Sequence, residues 1–149
     1  MSTEAPDFIQ RFREGSFTSA LRWPQLDALW QRILADNHGN WYLYAVGESP
    51  PEEAASREQV EQFVREIDEL LHREHEEDYC GIVYADDLEQ PTLVKIYDPN
   101  NLGVVCGFSD NPPLPGWVMS QQRPADLPSA QRPTGSRRRW WQRILARAG

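Results

Sequence analysis

The sequence predicts an α+β fold: an antiparallel meander sheet of four to five strands with two principal helices, followed by a disordered linker and a basic C-terminal helical tail. Three observations predict it. Two stretches repeat apolar residues at helical spacing, Leu26, Leu29, Trp30, Ile33 and Leu34 in the first and Val60, Phe63, Val64, Ile67, Leu70 and Leu71 in the second. After them come short aromatic and β-branched runs separated by turn-forming residues. At 149 residues and 40% hydrophobic content, the chain can bury one sizeable core, which argues for one domain with appendages.

The segment DFIQRFREGS carries Phe8, Ile9 and Phe12 on one side of a turn or two of helix before Gly15 interrupts it. Pro24 suits a first helical position, where its missing N–H leaves nothing unpaired, and Asn37-His38-Gly39 stops the helix that follows. WYLYAV, residues 41–46, reads as a strand and GESPPEEAA as a loop. Ser56 and Gln59 form a capping box for the second principal helix, whose solvent face pairs Glu61 with Arg65 and Glu69 with Arg73. YCGIVYA (79–85), TLVKIY (92–97) and VVCGF (104–108) follow, separated by DDLEQP and DPNNLG, and WVMS comes after SDNPPLPG, a stiff interstrand loop. This divides the chain into a flexible or short-helical segment (1–17), an acidic α+β domain (18–121), a Pro-rich linker (122–136) and a basic amphipathic tail (137–149).

The net charge of −8 hides a partition. Residues 1–130 hold 9 basic and 23 acidic side chains, a balance of −14, whereas residues 131–149 hold six arginines and no acid. Such a body repels phosphate backbones, so nucleic acid is not an expected partner. Fourteen arginines against one lysine suggest GC-rich bacterial coding. MSTEAPDF lacks the features of an export signal, and no apolar run reaches the roughly 20 residues of a membrane span, so the expected compartment is the cytoplasm.

Candidate chemistry is sparse, and no motif calls for a cofactor. His72, His75, Cys80 and Cys106 have the ligand types of a zinc site. If the first hairpin turns about Leu88 and Glu89 and the second about Asn100 and Asn101, Cys80 faces Tyr97 and Tyr97 faces Val104. The cysteines are then two strands, about 10 Å, apart, too far to share an ion. The same register puts Gly81, Val83, Ala85, Val94 and Ile96 on the core face and Cys80, Ile82, Tyr84, Leu93, Lys95 and Tyr97 on the other. Lys95 is the only lysine. A desolvated lysine can act as a nucleophile or hold an anion, which makes Lys95, Tyr84 and Tyr97 candidate ligand-binding residues; the competing roles are snorkelling to water and guarding a sheet edge. Asp86, Asp87 and Asp98 border the turns and are expected to cap them.

The tail carries Trp140, Trp141, Ile144 and Leu145 on one arc, with Arg139, Arg143 and Arg147 beside it and Arg137 and Arg138 before it. Alone it is too short and too basic at its start to be a stable helix, so it is expected to dock on a partner protein, an anionic membrane surface or the acidic body itself. WQRILA occurs twice, at 30–35 and 141–146, which suggests that the tail offers Trp141, Ile144 and Leu145 to a groove like the one holding Trp30, Ile33 and Leu34. The function these features favour is a cytoplasmic bacterial adaptor or regulatory protein that binds a protein partner through its acidic domain. Two alternatives stand beside it: a small ligand-binding protein or enzyme using the Lys95 face, and an acidic immunity-type neutraliser of a basic protein. The sequence leaves the oligomeric state open.

Overall fold

A computed structural model describes residues 7–75, 82–99, 114–127 and 135–147, with side chains of the last stretch given for 137–144. The order is α1 (Phe8–Glu14), β1 (Thr18–Ser19), α2 (Trp23–Ala35), β2 (Tyr42–Ala45), α3 (Arg57–Glu74), β3 (Val83–Ala85), β4 (Leu93–Ile96), β5 (Trp117–Ser120) and α4 (Gly135–Arg147). The fold is α+β with a five-stranded antiparallel sheet in the order β1-β3-β4-β5-β2, as the sequence predicts. Among the described residues no helix is long and apolar enough to cross a membrane.

Local chemistry sets the helix limits. Asp7 caps α1, its carboxylate accepting the Gln10 N–H at 2.8 Å. Pro24 lies in the first turn of α2, and Gly39, at φ 77°, carries the chain away after that helix with a backbone most residues avoid. The Trp41 indole N–H donates to the Asp36 carbonyl at 3.0 Å, satisfying a carbonyl at the helix end. At α3 the capping box forms in full: Ser56 Oγ accepts the Gln59 N–H at 3.1 Å, and Gln59 Oε1 accepts the Ser56 N–H at 2.9 Å.

The sheet divides two apolar layers. Leu43, Ala45, Val83, Ala85, Val94, Ile96, Trp117 and Met119 face α2, α3 and α4 in the larger one. Tyr44, Val46, Leu93 and Val118 face Phe8 and Phe12 of α1, together with Leu127 and the partly buried Phe17 and Leu114. Alternation along the strands thus feeds both layers, as the period of two requires.

The first hairpin departs from the expected register. Val83 pairs with Ile96, Tyr84 with Lys95 and Ala85 with Val94, so the turn centres on Glu89 and Gln90 rather than on Leu88 and Glu89. The cause is Asp86. Its Oδ1 accepts the N–H groups of Asp87, Thr92 and Leu93 at 3.0, 2.9 and 3.1 Å, and Asp87 Oδ1 accepts those of Glu89 and Gln90. These aspartates close the turn as expected, one pairing step further along. Because the slip is an even number of residues, Val83, Ala85, Val94 and Ile96 keep the core face. Ile82 does not keep its place: it precedes the strand and joins the helix-side layer. β4 is flanked by β3 and β5, so the position beside it expected for residues 104–108 is filled by Trp117–Ser120. Residues 104–108 lie outside the described residues.

Two further expectations need adjustment. Arg73 pairs with Glu69 at 3.4 Å, but Arg65 donates to Gln62 Oε1 at 2.9 Å, and among the described residues it forms no ion pair with Glu61. Residues 122–127, placed in the linker by composition, run along the α1 side of the sheet. Ser120 Oγ bonds to both backbone groups of Gln122, the Leu127 N–H donates to Tyr44 Oη at 3.1 Å, and Leu127 is buried. Burial holds the Tyr44 phenol above its ordinary pKa, a shift the Leu127 N–H opposes and Asp126 reinforces. Arg11 fastens α1 to this face, donating to Gln122 Oε1 at 3.1 Å, Thr92 Oγ1 at 2.6 Å and Asp86 Oδ2 at 3.3 Å.

Candidate functional site

The tail is helical and lies on the body. Its first residues, Gly-Ser-Arg-Arg-Arg, put three cations where the helix dipole is already positive, and the body supplies the compensation. Arg137 is almost enclosed and clamped by two carboxylates. Nη1 and Nη2 donate to Glu74 at 3.0 and 2.7 Å, while Nε and Nη2 donate to Asp98 at 3.0 Å each. Burial works against the guanidinium's charge, but the bonds to Glu74 and Asp98 outweigh it and its pKa is raised. The bond from Arg137 holds the Glu74 carboxyl below its ordinary range, more strongly than burial raises it. Arg138 reaches Glu48 at 3.3 Å and Arg143 reaches Glu66 at 3.7 Å.

Beneath these charges the helix is anchored by aromatic packing. Trp140 meets Trp117 edge-on at 5.3 Å, Trp141 meets Phe63 edge-on at 5.8 Å, and Ile144 is fully buried. Arg139, Gln142 and Arg143 face solvent. The side chains of Leu145 and Arg147 lie outside the described residues. The tail is thus docked on the acidic body, one of the three surfaces expected for it.

The repeated hexapeptide gains a physical meaning here, because both copies pack on α3. In the first, Trp30 is buried and its indole N–H donates to Asp68 Oδ1 at 3.1 Å, with Ile33 fully enclosed. In the second, Trp141 packs on Phe63, Ile144 is enclosed and Arg143 faces Glu66. Contacts pair Trp23 with His72, Trp30 with Asp68 and Asn37 with Arg57, so α2 runs antiparallel to α3. Arg137 with Glu74 and Arg143 with Glu66 give α4 the same sense. The helix layer is therefore α3 with one WQRILA helix on each flank.

On the opposite face, one row crosses all five strands: Ser19, Tyr84, Lys95, Val118 and Tyr44. Lys95 is half-buried beneath α1, its Nζ 4.3 Å from the Phe12 ring centroid and 3.9 Å from that of Phe17. Burial lowers its pKa to about 8. Among the described residues it has no carboxylate in ion-pair range, so the two rings are the groups that face its charge. The edge-guarding role is excluded, since β4 is paired on both sides. Tyr84 and Tyr97 meet edge-on at 5.7 Å, but Tyr97 packs against the helix-side layer at the end of the sheet. Burial, then the neighbouring Tyr84, raises the Tyr97 phenol pKa. The candidate trio thus resolves into an amine under phenyl rings and an adjacent tyrosine pair.

The histidines of the expected zinc set lie along one side of α3's last turn. His72 stacks on Trp23 with centroids 4.0 Å apart, and His75 lies 6.3 Å from the same ring. Cys80 and Cys106 lie outside the described residues. The acids facing the tail arginines, Glu74, Asp98, Glu48 and Glu66, are not legible in the sequence, because no local pattern links them to residues more than 30 positions away. The pairing of His72 with Asp68, by contrast, has a readable signal in their spacing of four on one helix. Compared with known proteins, the chain matches no family model, no curated protein and no solved structure.

Proposed function

We propose that the chain is a partner-binding regulatory protein, in which an acidic α+β body engages a protein partner and α4 exchanges between that body and the partner. The observation that carries this reading is the construction of α4. Its start opposes its own dipole and is stabilised by carboxylates of the body, so its docking depends on charges that a partner of similar chemistry can replace. The solvent-facing Arg139 gives such a partner a first point of contact. The compartment that suits the reading is a bacterial cytoplasm.

The test compares three forms of the full chain as baits, each checked by circular dichroism. Glu74→Gln with Asp98→Asn weakens the clamp and should raise partner capture; Arg139→Ser, at an exposed cation for which no ion pair is seen among the described residues, leaves the docking contacts in place and should lower it. Equal capture by all three refutes the reading. Cosedimentation of the clamp-weakened form with phosphatidylserine vesicles, without protein capture, replaces the protein partner by a membrane. A second reading rests on Lys95 lying half-buried against the Phe12 and Phe17 rings, where burial lowers its pKa, a setting that suits a carbonyl-bearing small ligand. It requires a ligand-induced rise in melting temperature that Lys95→Ala abolishes.

A further inference from the structure

On the flank of α3 away from α4, three side chains with metal-ligand chemistry converge. Asp68 and His72 stand one helical turn apart on α3, and Asp27 reaches them from α2; their ligand atoms all lie within 4.8 Å of one another. His72 Nε2 is 3.5 Å from Asp68 Oδ1. Two groups outside the trio fix its orientation. The indole N–H of buried Trp30 donates to Asp68 Oδ1 at 3.1 Å, and the Trp23 ring stacks on the His72 imidazole with an interplanar angle of 23°. Such supporting contacts are what hold metal ligands in position in established sites.

The charge balance points the same way. Among the described residues, no arginine or lysine pairs with Asp27 or Asp68, whereas arginines pair with Glu66, Glu69 and Glu74 on α3 and with Glu48 and Asp98 nearby. Two carboxylates left facing an imidazole repel each other, and a divalent cation relieves that repulsion.

We infer that Asp27, Asp68 and His72 form a binding site for a first-row divalent metal ion of the zinc, cobalt and manganese type. An imidazole with two carboxylates suits these ions, whereas calcium prefers six to eight oxygens and magnesium rarely takes nitrogen. In a tetrahedral site with bonds of about 2.0 Å the ligand atoms stand about 3.3 Å apart. The trio must therefore close by up to about 1.5 Å, a movement within the reach of the exposed Asp27 side chain. Three protein ligands leave the remaining position to water. The ion would tie α2 to α3 at the helix interface and is distinct from the zinc set expected from the sequence, since it uses His72 without the cysteines.

The test uses the full chain freed of metal by chelator dialysis and titrated with ZnCl2 by calorimetry, with CoCl2 absorption spectra in parallel. One equivalent should bind. Cobalt should show visible bands without the near-ultraviolet charge transfer of thiolate ligation. Asp27→Asn and His72→Gln should each weaken binding by at least about tenfold. Asp27 is exposed, so metal-free Asp27→Asn should keep the wild-type melting temperature, while His72→Gln should lose only what its stacking on Trp23 contributes and remain folded by circular dichroism. Cys80→Ser with Cys106→Ser should bind as the wild type does. Absent zinc binding, undiminished affinity in Asp27→Asn and His72→Gln, or loss of binding in the cysteine variant would each overturn the assignment.

Discussion

Replacing Arg137 by methionine keeps most of the side-chain volume and removes the charge that two carboxylates share. The side chains of Arg137 and Asp98 are 11% and 10% exposed, so Asp98 would lose its guanidinium partner with little water to replace it. Glu74 is 24% exposed and can be partly rehydrated. Breaking an enclosed pair by removing one partner costs about 3–5 kcal/mol, and the partial hydration of Glu74 lowers the expectation here to about 2–4 kcal/mol. Urea unfolding followed by tryptophan fluorescence measures it directly. The pH profile adds an independent check. Glu74 has a lower pKa folded than unfolded, so its contribution is complete above the ordinary value of 4.5 and is lost as pH falls through the lower folded value. Wild-type stability should therefore decline across that acidic window, and Arg137→Met should flatten the decline. A loss below about 0.5 kcal/mol with an unchanged acid profile would refute the idea that this clamp holds α4.

Lys95 gives the opposite sign at alkaline pH. Its folded pKa of about 8 lies below the ordinary 10.5, so the unfolded chain holds more protons between those values and stability should rise as pH climbs from about 8 to 9.5, before the tyrosines titrate. Lys95→Met should lose that slope and, in urea melts at pH 7, match or exceed the wild type by about 1 kcal/mol, since the cation–π contacts offset only part of the desolvation. Ile144→Ala, at a fully buried position, should cost about 2–4 kcal/mol in the same melts, close to the cost of the equivalent change at Ile33; a loss under 1 kcal/mol would mean that α4 is not part of the cooperative unit. Asp86→Ala removes the acceptor for three backbone N–H groups and one anchor of Arg11, and should cost about 2–3 kcal/mol, with Asp86→Asn milder because one carbonyl oxygen remains; hydrogen exchange at Thr92 and Leu93 should quicken in step.

The elements were legible where a local cause decides them. The capping box at Ser56, the apolar stripe of α3 and the turn chemistry of Asp86 and Asp87 each act within a few residues, and the structure carries them out. Within Val83–Ala85 and Leu93–Ile96 face assignment survived the register slip because the error was even, which hydrophobic alternation cannot detect, whereas Ile82 and Tyr97, just beyond the strand ends, joined the helix-side layer. What stayed illegible depends on distant residues. Nothing beside Lys95 announces that Phe12 and Phe17 will cover it, and the wrap of residues 122–127 rests on Leu127 finding the Tyr44 side of the sheet. Composition favoured a linker there because prolines and polar residues surround the one leucine that binds.

The charge partition decides how the molecule should respond to salt. Residues 1–130 carry −14, so docking the arginine-bearing helix reduces the self-repulsion of the body as well as satisfying the helix start. Added salt weakens both effects among exposed charges, and over the body these changes act in opposite directions: repulsion relaxes while the bridges of Arg138 and Arg143, both about half exposed, loosen. The Arg137 clamp is enclosed and is screened far less. It follows that moderate salt should leave α4 in place, with Trp140, Trp141 and Ile144 supplying the apolar share of the attachment, and that detachment needs a competitor able to take Arg137 from Glu74 and Asp98. A partner that does so must bring its own carboxylates together with an apolar groove, which is the chemistry α3 already presents to both WQRILA helices.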